Sequence, residues 1–137
     1  MARMVRIHHV AFAHDGERAP QDRFADLLGI GVCHTEDAEG FVERMLPIGD
    51  GFLQTLEATG PGVVDTFVRR RGSALHHIAI EVDDIGTVVA TLRERGVRLV
   101  DQEPRPGGMG TTIAFIHPSE FDGILVELVE VPRSQGE

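Results

Sequence analysis

The strongest constraint on this chain is a histidine pair that occurs twice. Val5-Arg-Ile-His-His-Val-Ala-Phe-Ala-His-Asp15 is matched past the middle by Ser73-Ala-Leu-His-His-Ile-Ala-Ile-Glu-Val-Asp-Asp84, setting His8-His9 and His76-His77 68 residues apart. A second echo follows in each half. Gly49-Asp-Gly-Phe-Leu-Gln-Thr-Leu56 corresponds to Asp122-Gly-Ile-Leu-Val-Glu-Leu-Val129 at an offset of 73. Two echoes in one order, at nearly one offset, mark a duplicated module. Whatever one half folds into, the other must fold into as well.

Each half opens on a strand, and alternation sorts its side chains. His8, Val10 and Phe12 fall on one face, with Ile7, His9, Ala11 and Ala13 on the other. In the second half His76, Ile78, Ile80 and Val82 oppose Leu75, His77, Ala79 and Glu81. The bulky face is expected to pack against helices. The other sets a histidine among alanines, which leave room beside the imidazole as the floor of a cleft would. That selects His9 and His77 over their neighbours.

A helix follows each strand. In the second half Asp83 or Asp84 can cap, Ile85, Val88, Val89 and Leu92 recur at helical spacing, and Gly96 stops the helix. In the first half Pro20 stands near the start, Phe24, Leu27 and Leu28 make the apolar face, and Gly29 ends it. Strands are predicted around Gly31–Thr35, Gly40–Pro47 and Gly51–Glu57, then Arg98–Asp101, Thr111–His117 and Gly123–Val131. Pro104-Arg-Pro-Gly-Gly-Met-Gly110 reads as a flexible loop and not as a phosphate cradle, since no Lys-Ser/Thr follows. The expected organisation is one α+β domain over 1–137. It consists of two tandem βαβββ modules, about 5–60 and 73–131, joined by a helix over about 61–71.

Composition narrows the chemistry. A chain of 137 residues with a net charge of −9 lacks the basic surface that phosphate backbones require, so no nucleic-acid partner is expected. The absence of Trp and Tyr leaves few stacking platforms for bases or planar drugs. No apolar run approaches the ~20 residues that cross a bilayer, and no signal segment is evident, so no membrane partner is expected. The single Cys33 excludes an internal disulfide and fits a reducing cytoplasm, the expected location.

Should the modules pair through their leading strands, His9 meets His77. The last strand of each module offers one oxygen donor, Gln54 in the first and Glu127 in the second. Two imidazoles with a carboxylate and an amide oxygen suit a borderline divalent metal with open positions. No HExxH-type local motif supports this; the symmetry of the donors does. Glu57 is a rival acid beside Gln54, on the opposite face by parity, and alternation alone leaves open which face turns inward.

The segments "IHHVAFA", "ALHHIAIEVDDI", "LRERGVRLVDQEPRPGGMG", "AFIHP" and "GILVELVE" resemble the methylmalonyl-CoA epimerases of the vicinal oxygen chelate superfamily, which includes glyoxalase I. The resemblance runs over roughly residues 5 to 131. It implies a cupped eight-stranded sheet of two βαβββ modules around a divalent metal, cobalt first, with zinc, nickel or manganese as alternatives. It carries the metal ligands onto His9, Gln54, His77 and Glu127, and a second catalytic carboxylate onto Glu43 in "GFVERMLP". The implied reaction interconverts the 2R and 2S forms of methylmalonyl-CoA. A metal-stabilised enolate forms, and Glu43 and Glu127 act as base and conjugate acid on opposite sides of the α-carbon. An acyl-CoA thioester substrate and a homodimer are implied as partners. The basic run Arg69-Arg-Arg71 is a candidate contact for CoA phosphates or a solvated helix end. The alternatives are glyoxalase I acting on a glutathione hemithioacetal, a non-heme iron dioxygenase, and a metal-free drug-sequestering protein.

Overall fold

The computed structural model describes residues 2–133. Among them the chain runs β1 (Met4–His14), α1 (Pro20–Leu28), β2 (His34–Ala38), β3 (Phe41–Ile48), β4 (Gly51–Ala58) and α2 (Val63–Arg71). It continues through β5 (Ala74–Val82), α3 (Ile85–Glu94), β6 (Arg105–Pro106), β7 (Thr112–Ile116) and β8 (Leu125–Glu130). The strands form one mixed eight-stranded sheet in the order β2-β3-β4-β1-β5-β8-β7-β6, an α+β architecture. No described helix is long and apolar enough to cross a membrane.

Compactness divides the chain into His9–His76 and the pair of segments Met1–His8 and His77–Glu137. In the first unit β1 pairs parallel with β4, and β4, β3 and β2 follow antiparallel. In the second, β5 pairs parallel with β8, and β7 and β6 follow antiparallel. The same pairing in both is the structural form of the sequence repeat. The N-terminal residues are tied into the second unit: the Arg3 amide donates to Asp83 Oδ1 at 2.7 Å, and Arg6 Nε to Glu81 Oε1 at 2.6 Å.

The helices form where the local signals place them. Pro20 opens α1, and Gly29 closes it in the left-handed conformation at φ 69°, which glycine adopts without the steric penalty of a Cβ. Asp84 caps α3 by accepting the Thr87 amide at 3.1 Å. The bulky face of β5 packs as expected. Val82, Ile85, Val89, Leu99, Ala114, Ile116, Val126 and Leu128 make one buried cluster, with Ile78, Ile80, Val88 and Leu92 against it.

The first half departs from its expected packing. Of the α1 residues Phe24, Leu27 and Leu28, only Phe24 reaches the sheet, its ring 5.6 Å from that of Phe12. Leu27 and Leu28 are exposed and Gln21 is the buried residue, because the helix turns its Gln21–Phe24 edge inward. The alanine face is also partly filled: Ala11, Ala13, Leu56 and Val64 form a core cluster joined by Phe41, Ala58, Phe67 and Val68, so α2 supplies much of its cover.

Two strand predictions need correction. The strand expected at Gly31–Thr35 begins at His34, three residues late, because pairing with β3 starts at His34 opposite Met45. The strand expected at Arg98–Asp101 is reduced to one bridge, Leu99 to Ile116. Its place on the edge is taken by Arg105–Pro106, inside the segment expected to be a flexible loop. Pro106 is tolerated there because an edge strand leaves one side of its backbone unpaired.

Beneath α1 the His14 side chain is almost fully buried, and its Nδ1 accepts the Gly16 amide at 3.1 Å. Burial pulls its pKa below the ordinary histidine value; Glu57 opposes that pull and Arg44 reinforces it. The unfolded chain therefore takes up this proton before the folded one does. The resulting stability is present above about pH 6.5 and is lost as pH falls through the lowered folded value. Urea midpoints measured from pH 7 to pH 5 should fall for the wild type and fall less for His14→Gln. Equal slopes would mean that His14 does not carry the effect.

Candidate metal centre

In the unit His9–His76, strand register defines one continuous face. Ala11 lies opposite Gln54, Gln54 opposite Met45, and Met45 opposite His34. The next row is Ala13, Leu56, Glu43 and Glu36. His9 precedes these rows by two residues on β1 and shares their face. Gln54 is buried, and its amide nitrogen donates to Met45 Sδ at 3.4 Å. Its Oε1 is buried with no hydrogen-bond partner among the described residues. An unpaired buried carbonyl oxygen costs free energy unless something electropositive meets it.

The opposite face settles the rivalry with Glu57. Glu57 lies opposite His14 and accepts from Arg44 Nη1 at 2.9 Å, so it belongs to a half-buried ion pair on the face opposite Gln54. Glu43, two residues from Met45 along β3, is on the same face as Gln54.

In the second unit Ala79 lies opposite Glu127, and Glu127 opposite Phe115. His77 precedes Ala79 by two residues, so its imidazole rises beside the carboxylate. His77 Nε2 is 3.1 Å from Glu127 Oε1, with both side chains buried. Phe115 meets the His77 ring edge-on, with centroids 5.4 Å apart at 89°. The Arg105 guanidinium lies over Phe115 at 5.8 Å. Asp101 ties this together: its carboxylate accepts from Arg105 Nε and from the Phe115 amide, each at 2.8 Å. Sequence reasoning missed Asp101, Arg105 and Phe115 as supports of His77; Arg105 lay in a Pro- and Gly-rich stretch and the other two in predicted strands.

His9 in the first unit, and His77 and Glu127 in the second, are all buried, and each offers one ligand atom that could hold a metal ion. Nitrogen and oxygen ligands bind a divalent ion at about 2.0–2.2 Å, which spaces neighbouring donors about 3–4 Å apart. Two imidazoles and a carboxylate are the mixed nitrogen and oxygen donor set that borderline divalent ions accept. The donor set and the orphaned Gln54 oxygen therefore fit such an ion. His76, by contrast, is half-buried with its ring 4.7 Å from that of Phe67 in an edge-on contact. In the basic run, Arg69 pairs with Asp65 at 3.0 Å and Arg71 lies over the Phe67 ring at 5.3 Å.

A sequence profile of the Glyoxalase/Bleomycin resistance protein/Dioxygenase superfamily matches residues 6–115. The chain belongs to this superfamily. Within it, the ethylmalonyl-CoA/methylmalonyl-CoA epimerase of Cereibacter sphaeroides is 30% identical over 131 residues, 92% of this chain and 98% of that one. A solved methylmalonyl-CoA epimerase in complex with methylmalonyl-CoA and NH4+ is 36% identical, with a TM-score of 0.89 over 94% of this chain and 96% of that one. A Streptomyces coelicolor methylmalonyl-CoA epimerase variant in complex with 2-nitronate-propionyl-CoA superposes with a TM-score of 0.91 at 34% identity, over 98% of this chain and 100% of that one. The fold is therefore glyoxalase-like, and the protein is methylmalonyl-CoA epimerase-like in sequence and structure.

Ligand and packing histidines should separate in a metal titration. His77→Ala should lose tight cobalt or zinc binding by calorimetry, whereas His76→Ala should keep it and lose thermal stability through the Phe67 contact. Equal loss of metal from both variants would show that the wrong member of the pair was chosen.

Proposed function

We propose that this protein is a metal-dependent epimerase that interconverts the 2R and 2S forms of methylmalonyl-CoA. The observation that carries this reading is the buried His9, His77 and Glu127 group, together with the unpartnered Gln54 oxygen and with Glu43 on Gln54's own face. His9, Gln54, His77 and Glu127 would hold the divalent ion. When bound, that ion would supply Lewis acidity toward the thioester and carboxylate oxygens of the substrate, lowering the cost of the enolate. Cobalt is the first candidate.

The remaining chemistry belongs to carboxylates of this chain. Inverting the α-carbon requires a base on one side and a proton donor on the other. Glu43 takes the α-proton on one side, and Glu127 returns a proton on the other; in the reverse direction the two exchange roles. Glu127 is buried, which favours a proton transfer sheltered from bulk water.

This division of labour has a specific signature. Glu43→Gln keeps nearly the same shape, so folding and metal content should persist while epimerisation falls by about 10²–10⁴. In deuterated water that variant should still exchange the α-proton of one epimer without inverting it. Glu127→Gln should lose both metal and activity. Wild-type turnover in Glu43→Gln would contradict the two-carboxylate assignment.

A further inference from the structure

Two residues beyond Glu43 on the same face are used by nothing so far. Within the unit His9–His76, Glu36 lies directly opposite Glu43 in the β2–β3 ladder. His34, two residues earlier on β2, shares their face, and its Nε2 is 2.8 Å from Glu36 Oε1. Directly opposed side chains in an antiparallel pair have Cβ atoms about 4.5–5.5 Å apart, within reach of a shared proton. Two carboxylates facing each other at that spacing repel unless a proton or a cation stands between them. The His34 and Glu36 side chains are 35% and 43% exposed, so the series leads outward to solvent.

This matters because a two-base epimerase does not finish its cycle with product release. If Glu43 removes the α-proton and Glu127 supplies the replacement, Glu43 ends protonated and Glu127 ends ionised. The starting state returns only when Glu43 delivers its proton to water and Glu127 regains one. We propose that Glu36 and His34 form the proton-return relay of Glu43. The Glu43 carboxylic acid gives its proton to one oxygen of Glu36 as Glu36 passes the proton on its Oε1 to His34 Nε2, the imidazole carrying its own proton on Nδ1. The resulting imidazolium releases its Nδ1 proton to water, and its rearrangement to the starting tautomer closes the cycle. One proton leaves Glu43 and one enters the solvent, with no other reactant.

The surroundings suit this task. On the rows that hold these three groups the other side chains are Met45, Gln54, Leu56, Ala11 and Ala13, none of which titrates. The charged neighbours Arg44 and Glu57 are paired with each other on the opposite face, as is His14 beside them. Of α2, which packs near Phe41, Asp65 is held by Arg69, and Arg71 lies over Phe67. Glu36 and His34 act through Glu43, so they are positioning residues for its proton and not catalytic groups.

The inference rests on the epimerase reading, and its test separates the two. Turnover of methylmalonyl-CoA is measured in dilute buffer for the wild type, Glu36→Gln and His34→Gln, each checked for folding and metal content. The variants should keep KM and lose about tenfold in kcat, less than the loss of a group that touches substrate. Added imidazole buffer should restore their rate in proportion to its concentration, an effect that a merely structural role does not produce. A wild type that turns over while Glu36→Gln matches it in dilute buffer overturns the relay alone, and so does a loss that imidazole leaves unchanged. A wild type that does not epimerise overturns the epimerase reading and the relay with it.

Discussion

The parallel pairing of the first and last strands of each repeat is the constraint on which the rest depends. It sets Ala11 beside Gln54 in one unit and Ala79 beside Glu127 in the other. Both alanines are fully buried. A larger residue at either position would fill the space beside the oxygen donor. A shift of register by one residue would turn His9 or His77 onto the helix-facing side and remove it from the donor set. The placement of the candidate donors is thus a consequence of strand register before it is a property of individual side chains.

The two repeats use the same frame for unequal loads. On the helix side of the second unit, α3 covers a large aliphatic cluster. On the helix side of the first, His14, Gln21 and Thr55 are buried. His14 Nε2, Gln21 Oε1 and Thr55 Oγ1 are all buried without hydrogen-bond partners among the described residues. Buried polar groups left in that condition cost stability. In the second unit His77 is braced by Phe115, Arg105 and Asp101.

Much of this was legible in the sequence because alternation and duplication are local, repeated signals. His9 and His77 stood out by parity with alanine, and the structure buries both. The α3 helix announced itself through Asp84 and a regular apolar stripe. What stayed hidden depended on tertiary context. Nothing in "FADLL" tells that Leu27 and Leu28 face outward while Gln21 turns in. The edge strand at Arg105–Pro106 exists only because β7 offers it a partner. Asp101 reads as one more surface acid until its carboxylate is seen holding both Arg105 and the Phe115 amide. Whether Glu57 or Gln54 shared the face of His9 was decided only by the β1–β4 register, which sets Gln54 opposite Ala11 and Glu57 opposite His14.

The central claim is that one histidine from each repeat serves a single ion, with oxygen donors completing its shell. X-ray absorption on the cobalt-loaded protein tests this directly. The account predicts a shell of nitrogen and oxygen at about 2.0–2.2 Å, with outer-shell scattering from two imidazole rings. Scattering from no imidazole or only one, or a sulfur ligand at about 2.3 Å, would contradict it.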